Sequence, residues 1–242
     1  MNIKLLIEYD GTAFSGWQRQ PNARTVQGDL EKALSDLLME EIKVNGSSRT
    51  DSGVHAREYP VSFTTVGRIP PERIALAVNA KLPDDIRALS SMEMPEGFHA
   101  RYSSDGKTYS YRMLRRSHPS AIYRNYACLV EESIDLEKMM TAAELFRGSH
   151  DFRGFMSTGS SDMNTVKEMR DITLCEEGDF IILSLTASGF LYNMARIIAG
   201  TLIDAGMGKI GDSEILSILE SGIRGRSKPA PSCGLYLEKV YY

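Results

Sequence analysis

The chain has 242 residues, enough for one large domain or two modest ones, and its 42% hydrophobic and 25% charged content is ordinary for a soluble globular protein. No apolar stretch approaches the roughly 18 residues of a membrane span, Met1–Glu8 alternates too soon for a signal peptide, and Cys128, Cys175 and Cys233 stand too far apart to signal a disulfide framework or a zinc site. A reducing cytoplasm is therefore expected, and the net charge of −4 weighs mildly against a nucleic-acid partner when read as a single sum.

The first strand is expected where Ile3, Leu5, Ile7 and Tyr9 alternate onto one face, ending at the turn pair Asp10-Gly11. A polar loop, Ser15 to Arg24, holds the only tryptophan, Trp17. Thr25 then caps a helix whose stripe is Val26, Leu30, Ala33, Leu34, Leu37 and Leu38. Strands are expected at Ile42–Val44 and Tyr59–Thr65, on either side of a loop from Gly46 to Glu58. Pro71 suits the first turn of a helix running to about Lys81, and a strand at Ile86–Met94 closes this half. In the second half, strands are expected at Lys107–Arg115, Ala127–Val130, Arg170–Glu176, Phe180–Ser188 and Leu235–Tyr241. Helices are expected at Asp135–Arg147, Phe190–Ala205 and Asp212–Ser221, and the Ser- and Gly-rich segment Ser157–Asn164 reads as a mobile loop. Strands and helices alternate irregularly with short connections, which gives an α+β protein with antiparallel or mixed sheets. The expected domains are residues 1–100 and 101–242.

Three stretches carry candidate chemistry. In Gly46-Ser-Ser-Arg49-Thr-Asp51-Ser-Gly53-Val-His55-Ala56, Asp51 reads either as a turn aspartate bonded to its own backbone or as an active carboxylate displayed on a long polar loop, with the positive Arg49 two residues before it. In Lys107-Thr-Tyr109-Ser-Tyr111-Arg112, a strand puts both tyrosines on one face, for ordinary packing or for stacking on an exposed base. In Gly189-Phe-Leu-Tyr192-Asn-Met-Ala-Arg196, Arg196 is flanked by apolar residues on a helix expected to be buried, so its guanidinium requires acceptors: a structural ion pair or a functional one. Basic residues also cluster from Arg101 to Arg124 (Arg101, Lys107, Arg112, Arg115, Arg116 and Arg124, against Asp105) and at Arg224, Arg226 and Lys228. Such runs permit RNA binding without predicting it.

Two patterns point elsewhere and are set aside. Gly206-Met-Gly208-Lys-Ile-Gly211 matches GxGxxG, but a dinucleotide site needs a strand before the glycines, and here a helix precedes them. His55, His99, His118 and His150 lack metal-ligand spacing.

Taken together, the chain resembles the TruA pseudouridine synthases over nearly its whole length. The matching segments begin with Tyr9-Asp-Gly-Thr-Ala-Phe-Ser-Gly-Trp17-Gln18, Thr25-Val-Gln27 and Arg49-Thr-Asp51-Ser-Gly-Val-His-Ala56. They continue with Asn79-Ala-Lys-Leu-Pro-Asp-Asp-Ile86, Phe98-His-Ala-Arg101, Lys107-Thr-Tyr109-Ser-Tyr111, Gly148-Ser-His-Asp-Phe152, Gly189-Phe-Leu-Tyr192 with Arg196, and Pro229-Ala-Pro-Ser-Cys-Gly-Leu235. Each alone is weak, but their order and spacing are specific. The resemblance implies two α/β domains with antiparallel sheets joined across a central cleft, assembled as a homodimer. It implies isomerisation of uridine at positions 38, 39 and 40 of the tRNA anticodon stem-loop, with neither metal nor organic cofactor. Asp51 would be the essential aspartate, Tyr109 the tyrosine at the target base, Arg196 the cation paired with Asp51, and Arg49 a residue that opens or replaces the target nucleotide. Arg101 and Lys107, at the head of the first basic run, are expected to touch substrate as well. Ser48 and Ser52 stand where the family commonly has glycine and alanine, and Cys233 where other small residues are more usual, which bears on substrate choice alone. The strongest rival reading is a pseudouridine synthase with a different RNA target; an RNA binder without catalysis and a small-molecule enzyme using the GxGxxG glycines are weaker rivals, and neither of these two requires Asp51, Tyr109 and Arg196 together.

Overall fold

Ile3, Leu5, Ile7 and Tyr9 are all buried, and they fix one face of β1 (Asn2–Tyr9) against the core. The computed structural model describes residues 1–159 and 164–242. These form two compact units, one of Met1–Asp105 with Tyr236–Tyr242, the other of Gly106–Leu235. Only the outer residues of the expected mobile loop Ser157–Asn164 are among those described; 160–163 lie outside them.

In the first unit β1 lies between two antiparallel neighbours, β3 (His55–Thr64) and β4 (Ile86–Met94). The short β2 (Asn45–Gly46) also pairs with β3, and the last strand of the chain, β10 (Leu235–Tyr241), runs parallel to β3 through Tyr236↔His55 and Leu237↔Ala56. Helix α1 (Val26–Leu38) starts where Thr25 Oγ1 accepts the Gly28 N–H at 3.3 Å and stops at Met39, whose φ of 56° is left-handed. Its Val26, Leu30 and Leu34 are fully buried with Tyr59, Val61, Ile74 and Val78. Burying one such aliphatic side chain contributes about 1.5–3 kcal/mol.

Two expectations for this unit need correction. Ile42 and Val44 point inward but form no strand, because α1 side chains take their amides: Ile42 N–H donates to Ser35 Oγ at 2.9 Å and Val44 N–H to Glu31 Oε1 at 3.0 Å. The expected helix from Pro71 to Lys81 is a 3-10 turn, Pro71–Arg73, followed by a short α2 (Ile74–Val78). Asn79 ends it by bonding the backbone of Ala88 in β4 twice, at 2.9 and 2.8 Å.

The second unit is built on β5 (Gly106–Arg115), β9 (Phe180–Ala187), β8 (Val166–Glu177) and β7 (Gly148–Asp151), each antiparallel to the next, with β6 (Cys128–Val130) parallel to β5. Helices α3 (Leu136–Glu144), α4 (Met194–Gly206) and α5 (Asp212–Ser221) complete it. Its core joins Tyr111 and Met113 of β5 and Ile181, Leu183 and Leu185 of β9 to Ile197, Ile198 and Leu202 of α4. β7 was not expected, since Gly148-Ser-His-Asp has no strand-like composition; it exists through its pairing with Val166–Met169, which also starts β8 earlier than expected. The helix expected from Phe190 begins only at Met194, because Asn193 takes a left-handed φ of 61°. Each unit is mixed α+β with mostly antiparallel strands, the class expected from the sequence.

Candidate active site

Asp51 stands half-buried on the loop between β2 and β3, in a turn closed by Val54 N–H donating to the Asp51 carbonyl at 3.2 Å. Gly53 supplies the positive φ, 78°, that such a turn requires. The loop is clamped by the segment that follows β1. Trp17 N–H donates to the Thr50 carbonyl at 3.1 Å, Ser52 Oγ to the Phe14 carbonyl at 3.0 Å, and the Tyr9 and Thr50 hydroxyls bond each other at 2.8 Å. Two glycines permit the approach. A Cβ on Gly11 would lie 2.0 Å from the Val54 carbonyl oxygen, and one on Gly16, at φ 87°, would lie 2.7 Å from that of Thr50. Beneath the loop three buried rings pack together: Trp17 stacks on Tyr59 at 4.3 Å and Tyr9 meets Tyr59 edge-on at 5.5 Å. The Tyr59 hydroxyl donates to the Ser48 carbonyl. The Tyr9–Gln18 motif is thus the mould in which the Asp51 loop is cast.

His55 belongs to the mould. It is buried, its ring stacks on Tyr236 at 4.6 Å, and its Nδ1 accepts the Gly11 N–H at 3.1 Å. Asp10 Oδ1 lies 3.2 Å from the same nitrogen.

Arg49 and Arg101, expected to touch substrate, come together on one polar pocket of about 210 Å³ within the first unit, whose wall includes Gln18, Asn45, His99 and Tyr102. Neither arginine is in an ion pair among the described residues, both are exposed, and the pocket lining contains no carboxylate. An uncompensated pair of guanidiniums makes this an anion-seeking surface.

Tyr109 and Arg196 lie in the second unit. Tyr109 is buried on β5, opposite Leu185 of β9, with its ring edge-on to Phe190 at 4.9 Å. Lys107 shares its face, two residues earlier. Tyr111 is a packing residue: it is fully buried, and its hydroxyl donates to the Pro231 carbonyl at 2.8 Å. Burial pushes its phenol far above the ordinary value, and the nearby Arg196 only partly opposes this. Arg196 on α4 donates from Nε to the Ala230 carbonyl at 2.8 Å and from Nη1 to Asn193 Oδ1 at 3.0 Å, while its own carbonyl accepts the Ala230 N–H at 2.9 Å. Four residues on, Gly200 lets that segment lie against the helix, since a Cβ there would meet the Lys228 carbonyl oxygen at 2.1 Å. The Pro229–Gly234 motif is therefore a strap docked on α4, and it sets where the guanidinium sits.

The basic runs are less free than their sequence suggests. Arg115 pairs with Glu176 at 2.7 Å, Arg116 with Asp179, and Arg226 with Glu214 at 2.8 Å. The GxGxxG glycines do punctuate helices: Gly206 ends α4, Gly208 turns the chain at φ 67°, and Gly211 precedes α5. Among the described residues, no three His, Cys, Asp or Glu side chains are grouped to hold a metal ion, and no helix is long and apolar enough to cross a membrane. The sequence reading singled out neither Gly16 nor Tyr102, and it took Gly11 only as part of a turn and His99 only as a structural or RNA-contacting histidine. Gly11, Gly16 and His99 lie within the matching segments and Tyr102 one residue beyond Phe98–Arg101, but local spacing does not say that Gly16 meets Thr50 or that Tyr102 lines one pocket with Arg49.

The family described as tRNA pseudouridine synthase matches residues 5–103 and 142–242. Over 242 aligned residues the chain is 45% identical to tRNA pseudouridine synthase A 2 of Clostridium perfringens and 48% identical to tRNA pseudouridine synthase A of Clostridium botulinum, covering 100% of this chain and 99% of each relative. The enzyme of that name from Ruminiclostridium cellulolyticum is 48% identical, with 99% of both chains covered. Among solved structures, a chain of a Cbf5-Nop10-Gar1 complex covers 97% of this chain and 57% of its own, at 12% identity and a TM-score of 0.35, a likeness too weak to carry an argument.

Proposed function

Because the chain belongs to the tRNA pseudouridine synthase family, we propose that it isomerises uridine at positions 38, 39 and 40 of the tRNA anticodon stem-loop, with Asp51 as the carboxylate that acts on the ribose. The observation that supports this most is the mould around Asp51: a half-exposed carboxylate on a turn pinned through Thr50, Ser52 and Val54. Fixing a reactive group before substrate arrives is worth more than any single contact, since about 1 Å of misplacement can cost 10²-fold in rate.

The reaction breaks N1–C1′, leaves the electron pair on the uracil, turns the base, and forms C5–C1′ with a pair from C5. The C5 proton departs and N1 regains one, so atoms and electrons balance without an oxidant. Asp51 serves either by attacking C1′, to be displaced later by C5, or by removing a ribose proton to give a glycal to which the base adds back. Both routes need it ionised, and Arg196 is the cation assigned to that task, a role carried by the resemblance. Tyr109 supplies the ring for the extracted base and a phenol for the C5 proton. Arg49 opens or replaces the target nucleotide, and Arg101 and Lys107 hold the strand. The resemblance further assigns a homodimer, and the scattered cysteines favour the reducing cytoplasm as its compartment. The test is to map pseudouridine site by site in unmodified tRNA. Modification confined to positions 38–40 supports the reading, and modification elsewhere with none there overturns the substrate assignment.

A further inference from the structure

The pocket beside Arg49 has more built into it than two cations. His99 Nδ1 accepts the N–H groups of Arg101 and Tyr102 at 3.1 and 3.4 Å, and Ser103 N–H donates to the His99 carbonyl at 3.0 Å, so residues 99–103 form a closed turn. That turn is anchored on both sides of Ala100: its N–H donates to the buried Ser62 Oγ at 3.1 Å, and its carbonyl accepts the Tyr242 hydroxyl at 2.7 Å. On this fixed turn Tyr102 is 78% exposed, with its ring 4.4 Å from that of His99 and 5.7 Å from the Arg101 guanidinium. Tyr102 thus presents a large aromatic ring to solvent from a pinned turn, on the wall of the pocket that Arg49 and Arg101 also line. An aromatic face next to free positive charge is what a nucleic-acid strand uses, base on ring and phosphate on cation. The volume, about 210 Å³, falls below the roughly 300 Å³ at which whole small-molecule sites begin, so the pocket takes part of a nucleotide and leaves its base on the rim, where Tyr102 lies.

We propose that this pocket is a subsite for the RNA nucleotide flanking the target uridine, with its phosphate on Arg101 and its base stacked on Tyr102, next to the Arg49 that opens or replaces the target nucleotide. The flanking assignment rests on the reading of Asp51 as the group that meets the target ribose: Arg49 is two residues from Asp51, at most about 7 Å along the chain, a nucleotide-scale step. His99 positions the turn.

The test is tRNA affinity as a function of salt for wild type, Tyr102→Ala, Tyr102→Phe and Arg101→Gln, with pseudouridine formation by the wild type measured separately. Tyr102→Ala is expected to weaken binding by about 5- to 150-fold. Tyr102→Phe keeps the ring and binds like wild type. Arg101→Gln weakens binding and reduces the slope of log Kd against log salt by about 0.7 to 0.9. Unchanged affinity in both Tyr102→Ala and Arg101→Gln overturns the subsite. So does a site for free nucleotide, seen as uridine monophosphate binding that these variants abolish while tRNA binding is untouched. If wild type binds tRNA with these dependences but forms no pseudouridine, the reading of Asp51 fails while the stacking site stands.

Discussion

At the scale of single residues, Gly16 shows how the carboxylate is placed. Alanine there would need a left-handed φ and would press its Cβ to 2.7 Å from the Thr50 carbonyl. Gly16→Ala is expected to destabilise by about 1–3 kcal/mol and, by shifting the Asp51 loop, to lower kcat by about 10²-fold; thermal melting and single-turnover rates check both. A stability loss with kcat unchanged would make the clamp structural only. Tyr111 gives a prediction in pH. Burial raises its folded-state pKa above the ordinary phenol value of 10.0, and those of Cys128 and Cys233 above the ordinary thiol value of 9.0. Such groups contribute stability that is fully present below their unfolded values and lost as pH climbs toward the folded ones. Denaturant midpoints should therefore fall above about pH 9. Tyr111→Phe should flatten the part beyond pH 10, although losing the bond to Pro231 costs about 1 kcal/mol at neutral pH. A fall above pH 10 as steep as wild type's would contradict this.

At the scale of elements, the strap on α4 sets helix propensity against packing. Gly200→Ala should gain up to about 1 kcal/mol in propensity, but its Cβ would fall 2.1 Å from the Lys228 carbonyl oxygen and displace the segment that holds Arg196. Packing wins: a lower melting temperature and a lower kcat are expected together, and a more stable, fully active variant would refute the strap. Elements whose cause is local were legible in the sequence: the alternation of Ile3 to Tyr9, the Thr25 cap, and α5 and β4, found at their expected bounds. Elements decided by distant partners were not. β7 exists because residues 166–169 pair with it, and Ile42–Val44 fails as a strand because Ser35 and Glu31 reach its amides first. Periodicity reports which side chains face inward and says nothing of where the backbone amides go. The candidate site was legible through motif order, whereas the approaches of Gly11 and Gly16, and the meeting of Arg49 with Arg101, appear only in three dimensions.

For the whole molecule, charge is arranged more than it is accumulated. A chain of net charge −4 still binds a polyanion if its uncompensated cations are concentrated. Here Arg115, Arg116 and Arg226 are paired with carboxylates, while Arg49 and Arg101 share a pocket without one. The carboxylate-paired members of the basic runs, Arg115, Arg116 and Arg226, are therefore weaker candidates for RNA contact than Arg49 and Arg101, which stand 52 positions apart in the sequence. On the proposed function, catalysis and binding separate accordingly, with Asp51 assigned to the reaction and the cationic surface to affinity. The most direct test compares wild type with Asp51→Asn, which keeps the shape of the side chain and removes its charge, by measuring tRNA affinity and pseudouridine formation on one tRNA preparation. The variant is expected to bind within a few-fold of wild type while its rate of pseudouridine formation falls by at least ~10⁴-fold. Formation of pseudouridine by Asp51→Asn at a rate near that of wild type would contradict it.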